Sequence, residues 1–113
     1  MTAPPLKLVL HVDQTDRWPA ALGNIENLIR DYPNAALRVV ANGTAVYPFA
    51  GSNDLIKRIT EYAGRGVTFQ LCANSLRSHA VTPASLPDNA VVVPAGVVAL
   101  AEAQAAGFTY VKP

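Results

Sequence analysis

This chain of 113 residues predicts an α/β domain in which a mainly parallel sheet of about five strands is sandwiched by helices. Three observations carry that expectation. Short apolar runs alternate with segments of helical periodicity along the whole chain. Gly, Pro and Asn punctuate nearly every junction between them. The length suits a single domain spanning residues 1–113, without repeat, low-complexity tract or linker.

The first strand is expected from Leu6 to Val12, apolar apart from Lys7 and His11. Asp16 is the candidate N-cap of the first helix, and Pro19 suits its first turn. Trp18, Ala21, Leu22, Ile25, Leu28 and Ile29 recur at helical spacing, with Asn24, Glu26, Asn27 and Arg30 largely on the other side. Pro33-Asn34 ends that helix. Leu37 to Ala41 reads as strand two, closed by Asn42-Gly43, and residues 44–52 read as a loop. Ser52 or Asn53 caps the next helix, with Leu55, Ile56, Ile59, Tyr62 and Ala63 inward. Gly64 and Gly66 close it.

Val67 to Leu71 is strand three and leads directly into Cys72. A short helix is expected over about Asn74 to His79, followed by a loop with Pro83 and Pro87. Ala90 to Val93 is strand four, wholly apolar and therefore expected to be buried on both faces. Gly96 to Ala106 is the last helix, Gly107 ends it, and Thr109 to Val111 is strand five. Right-handed crossovers then make the sheet parallel.

Composition excludes several function classes. Half of the residues are hydrophobic and 15% are charged, against about 25% in typical soluble domains. A surface so short of charge is expected to be covered in part by another subunit. The segment from Ala90 to Pro113 holds only Glu102 and Lys112 as charges, and its helix spreads Val97, Val98, Leu100 and Ala101 around the circumference. Net charge is +1 with no basic run, which argues against nucleic acid and against a polybasic membrane patch. No apolar run approaches the roughly 18 residues of a membrane span. Met1 to Leu6 shows no signal-peptide pattern, and one cysteine forms no internal disulfide, so a cytoplasmic setting is expected.

The chemistry centres on Cys72, the only cysteine. A sulfur between a strand end and a helix start meets free N–H groups and the positive end of a helix dipole, both of which favour thiolate. The bland alternative is a small buried hydrophobe. In parallel sheets ligands sit beyond the carboxyl ends of the strands. That rule gathers His11, Asn42, Gly43, Asn74 and Gly96 around Cys72 as a candidate ligand pocket.

Each has a plainer role. His11 is a half-buried histidine, or it tunes Cys72 if their strands are neighbours. Asn42-Gly43 is a turn, or its backbone lines the pocket. Asn74 caps the short helix. Arg77 is a surface charge or an anion contact. No phosphate loop, dinucleotide fingerprint or C-x-x-C pair is present. Nothing in the spacing of Cys72, His11 and His79 follows a zinc pattern, so no metal is expected.

Several segments in order are similar to the DsrE/DsrF-like proteins. They are Leu8-Val9-Leu10-His11-Val12, the Trp18 helix with Asn24-Ile25-Glu26-Asn27, Val39-Val40-Ala41-Asn42-Gly43, the run Gly66 to Leu76, Val92-Val93-Pro94-Ala95-Gly96-Val97, and Gln104 to Pro113. The likeness covers nearly the whole chain and is strongest to the small stand-alone branch. It implies a three-layer α/β/α domain that assembles into homotrimers or homohexamers. In the sulfur-relay branches a cysteine after the third strand carries a persulfide between donor and acceptor proteins, and Cys72 matches that position. Such transfer needs an accessible thiolate and no cofactor.

Two functions follow as expectations. The first is a cytoplasmic sulfur-handling oligomer with Cys72 as persulfide carrier, its thiol open to solvent at the rim. The second is a non-catalytic module holding a small anionic or nucleotide-like ligand at the strand ends. A purely structural oligomer is the third possibility.

Overall fold

The computed structural model of the chain describes residues 5–83 and 86–113. Met1–Pro4, where the targeting expectation largely falls, lies outside the described residues. Five strands form one sheet: β1 (Lys7–Val12), β2 (Ala36–Ala41), β3 (Thr68–Cys72), β4 (Ala90–Val93) and β5 (Thr109–Val111). Their order is β4-β3-β2-β1-β5, and every pairing is parallel. The helices are α1 (Trp18–Asp31), α2 (Asp54–Gly64), α3 (Ala73–Ser78) and α4 (Gly96–Ala105).

The strand order dictates the layers. From β1 to β4 the chain steps one strand at a time in one direction, so right-handed crossovers put α1, α2 and α3 on one face. From β4 it returns across the whole sheet to β5 beside β1, and the same handedness puts α4 on the other face. Two apolar clusters record the split. Leu10, Val12, Val39, Ala41, Phe69 and Leu71 pack with Trp18, Leu22, Ile25, Ile59 and Ala63 of α1 and α2. Val9 and Val40 pack with Ala99, Leu100 and Ala103 of α4 and with Phe108.

Trp18 anchors the larger cluster. It is fully buried, its ring lies 6.2 Å from both Phe49 and Phe69, and its Nε1–H donates to the Ala45 carbonyl at 2.9 Å. That last bond ties α1 to a 3-10 helical segment, Gly43–Ala50, where a loop was expected. The buried Ala45, Val46, Pro48 and Phe49 explain the compaction, because the segment roofs the core rather than crossing solvent.

Two further expectations are corrected. Asp16 does not cap α1: it sits inside a short 3-10 turn, Thr15–Arg17, and α1 starts at Trp18 with Pro19 in its first turn. Strand β4 is not buried on both faces. It lies at the edge of the sheet beyond the cover of α4, leaving Val91 47% and Val92 45% exposed. Asn53 does cap α2, its Oδ1 accepting from the Ile56 N–H at 2.8 Å. Trp18→Ala removes the side chain that joins α1, β3 and the 3-10 segment; we expect a loss of about 3–5 kcal/mol in urea unfolding, with a midpoint shift and a similar slope.

Candidate functional site

Adjacent strands β3 and β4 send the chain to opposite faces of the sheet, β3 into α3 and β4 into α4. The carboxyl ends of these two strands therefore bound the crevice where open parallel sheets bind ligands. Cys72 is the last residue of β3 and the N-cap residue of α3, while Gly96 opens α4. The register sets Cys72 opposite Val93 of β4. Two helix starts thus face the same sulfur.

The approach of α4 depends on a missing side chain. A Cβ at Gly96 would lie 3.3 Å from the Cβ of Cys72, 3.3 Å from that of Asn42 and 3.4 Å from Cγ1 of Val40. Glycine lets the backbone close to this distance. Burial pushes the Cys72 thiol up, but the Ser75 hydroxyl and the N–H groups of Gly96, Ser75 and Asn74 outweigh it and hold the thiol below its ordinary value. The side chain forms no cap hydrogen bond with α3. The donors favour the anion, which accepts hydrogen bonds far better than S–H.

The site differs from expectation in access. Cys72 is only 5% exposed, so it is a recessed thiol and not one open at the rim. Burial among apolar side chains alone would have left it inert. The crevice instead pairs recession with polar donors.

The other expected residues divide. Gly43 lies beside the site: its N–H donates to Ser75 Oγ at 2.8 Å. Asn42 flanks Gly96 opposite Cys72. His11 does not reach the sulfur, because β2 lies between β1 and β3. Its Nε2–H donates to Asn42 Oδ1 at 2.9 Å, and its Nδ1 accepts from the Tyr110 hydroxyl at 2.6 Å. Asn74 does not cap α3 with its side chain, which is exposed and accepts from Arg77. Only its backbone N–H serves the thiol. Arg77 is thereby engaged locally, and His79 pairs with the Tyr47 hydroxyl at 3.0 Å.

Ser75 and Tyr110 were not among the expected site residues. Ser75 stands three residues after the N-cap Cys72, a spacing that capping patterns make legible. Tyr110 is brought to His11 by the β1–β5 pairing, which is a nonlocal contact without a local signal.

Near the site, Gln70 lies two residues before Cys72 on the same face of β3. Its Oε1 is buried without a hydrogen-bond partner among the described residues. It helps to line a crevice of about 140 Å³ with Val93, Pro94, Ala95, Val98 and Glu102. A larger groove of about 330 Å³ lies elsewhere, between α1 and the β1–β5 edge. Among the described residues no three His, Cys, Asp or Glu side chains converge as metal ligands, and no helix is long and apolar enough to cross a membrane.

If α4 is held close for the sake of its N–H, Gly96→Ala should push the helix start outward. We expect the Cys72 thiol to rise toward its ordinary value and alkylation by iodoacetamide at neutral pH to slow, by about threefold to tenfold, with the fold retained. A rate–pH profile superimposed on that of the unaltered protein would contradict this account.

No protein-family model and no curated protein matches the chain. Solved structures do. The chain is similar to a protein of unknown function, MTH1491 from Methanobacterium thermoautotrophicum, at 27% identity and a TM-score of 0.85, over 96% of this chain and 99% of that one. It is also similar to the ychN protein from E. coli, at 14% identity and a TM-score of 0.78, again over 96% of this chain and 99% of that one. The fold is therefore one that these two proteins share from end to end.

Proposed function

We propose that this chain is a cytoplasmic, oligomeric sulfur-handling protein of the DsrE/DsrF-like kind, in which Cys72 carries a persulfide. The observation that carries the reading is a single recessed thiol at the switch point of the sheet, with Gly96 bringing the start of α4 against it and the local polar groups holding the thiol below its ordinary value.

The step is balanced without a cofactor. The Cys72 thiolate attacks the outer sulfur of a donor persulfide, forming a new S–S bond. The donor's S–S bond breaks, its electron pair leaves on the inner sulfur, and that sulfur takes up a proton. No net oxidation occurs. With no second cysteine in the chain, release requires a thiol or other nucleophile on an acceptor. Incubation with a persulfide donor should add the mass of one sulfur atom to the intact protein, and Cys72→Ser should abolish the gain. An equal gain in that variant, or none in the unaltered protein, would sink the proposal.

The crevice at Gln70 favours a second reading, a non-catalytic module for a small ligand. A buried amide oxygen without a partner invites a donor from a bound molecule. In that case ligand-induced thermal stabilisation persists in Cys72→Ser.

Assembly belongs to the same proposal. Val91 and Val92 on β4 and Val97 and Val98 on α4 are exposed in the single chain, the last two at 71% and 51%. Such apolar area on neighbouring elements suits burial against further copies in a homotrimer or homohexamer. Light scattering at micromolar concentration should report an oligomer, and Val97→Asp should dissociate it; a strict monomer would refute this part.

A further inference from the structure

We propose that the crevice beside Gln70 binds a small primary ammonium ion on a short apolar stem, held between the Gln70 amide oxygen and the Glu102 carboxylate. The inference names a ligand class for the small-ligand reading of that crevice, on which it rests. It is independent of sulfur carriage by Cys72.

The register brings the two acceptors together. Gln70 of β3 pairs with Val40 of β2, and Val40 packs in the cluster under α4. Residues paired across parallel strands share a face, so Gln70 points to the α4 side of the sheet. On α4, Val98 and Glu102 stand one turn apart and both line the crevice. Ala99, between them in sequence, is buried. The connection from β4 adds Pro94, which has no N–H to donate. Gln70 and Glu102 are the polar side chains of an otherwise apolar lining.

That pair offers acceptors. Gln70 Oε1 is buried without a hydrogen-bond partner among the described residues. A donor supplied there recovers the full desolvation of the amide oxygen, which one supplied to a wet group would not. Glu102 is exposed, and the ion pairs among the described residues, Arg30–Asp31 and Lys112–Asp13, lie elsewhere. Lys7 and Arg38, on the same face of the sheet, are engaged away from it. Lys7 donates to the Ala106 carbonyl at 2.7 Å, and the Arg38 guanidinium stacks 4.2 Å from the centre of the Phe108 ring.

The chemistry then selects the ligand. An ammonium carries three N–H donors and no acceptor. One hydrogen serves Gln70 Oε1, one serves Glu102, and the third stays with water at the mouth. A hydroxyl has one hydrogen and serves only one of the two. An anion meets a carboxylate and a second acceptor. A hard metal cation seeks about six or more oxygens, which this lining does not supply. The volume, about 140 Å³, is well under the roughly 300 Å³ of sites for drug-sized ligands, so the stem is short. Val98 and Pro94 suit an apolar one. Val93, which also lines the crevice, is the register partner of Cys72, so the ammonium site adjoins the thiol without including it.

The test uses the full chain as it assembles in solution. The probe is propylammonium, charged at neutral pH as a lysine amine is, with n-propanol and propionate as neutral and anionic counterparts of similar size. Nuclear magnetic resonance follows the Gln70 side-chain amide and the Val98 methyl groups. Propylammonium should shift both saturably, and the counterparts should not. Glu102→Gln should weaken binding by about fivefold, and Gln70→Met, followed at Val98, by about tenfold. Gln70→Met should also raise the urea midpoint of the ligand-free protein, because it removes an unpartnered buried acceptor. A lowered midpoint would mean that another copy already supplies the donor to Gln70, and would overturn the proposal. If n-propanol or propionate saturates the site as tightly as propylammonium or more so, the ammonium is wrong and the small-ligand reading of the crevice stands. If no probe shifts either signal, both fall. Sulfur uptake by Cys72 is scored apart from all of these.

Discussion

A right-handed return from β4 to β5 places α4 on the face of the sheet opposite α1, α2 and α3, and the rest of the site depends on that single reversal. Had β5 joined the sheet beyond β4, the start of α4 would have shared a face with the start of α3. The crevice between β3 and β4 would then have closed over. Because the chain turns back, two helix starts leave neighbouring strands on opposite sides, and Cys72 stands between them. The small volume of Gly96 turns this topology into contact.

Electrostatics at the sulfur is a contest between two opposed effects. Removing a thiolate from water raises its energy, and this is the largest single influence on Cys72. Four donors reverse the outcome, three of them backbone N–H groups that the fold holds in place whatever the side chains do. The fourth is the Ser75 hydroxyl, the one member of the set that substitution can remove without moving the chain.

Much of this architecture was legible in the sequence because its determinants are local. Apolar runs, helical spacing at Trp18 and Ile25, the Asn53 cap and Gly66 just after α2 each act within a few residues. The position of Cys72 at a strand-to-helix junction is likewise a local property. Strand order is not, and two of the corrections trace to it. Strand β4 looked buried because it is apolar, yet it lies at an edge. His11 could tune Cys72 only if their strands were neighbours, and β2 separates them, leaving the half-buried, hydrogen-bonded histidine. The recession of the thiol was hidden for the same reason, since it arises where α4 crosses back from a distant part of the chain. Asn74 misled differently: its residue type suits a cap, but Cys72 had already taken that position.

The recession of Cys72 has a consequence for which sulfur compounds could reach it. Displacement at sulfur requires the attacking atom, the attacked atom and the leaving group to lie nearly in line. A disulfide with bulky groups on both sides presents its bond sideways and would be stopped at the crevice mouth. A terminal sulfur on a narrow arm can enter end-on, with its leaving group pointing outward along the same axis. On the sulfur-carrier reading, such a recess would favour slim donors over bulky disulfides by shape alone.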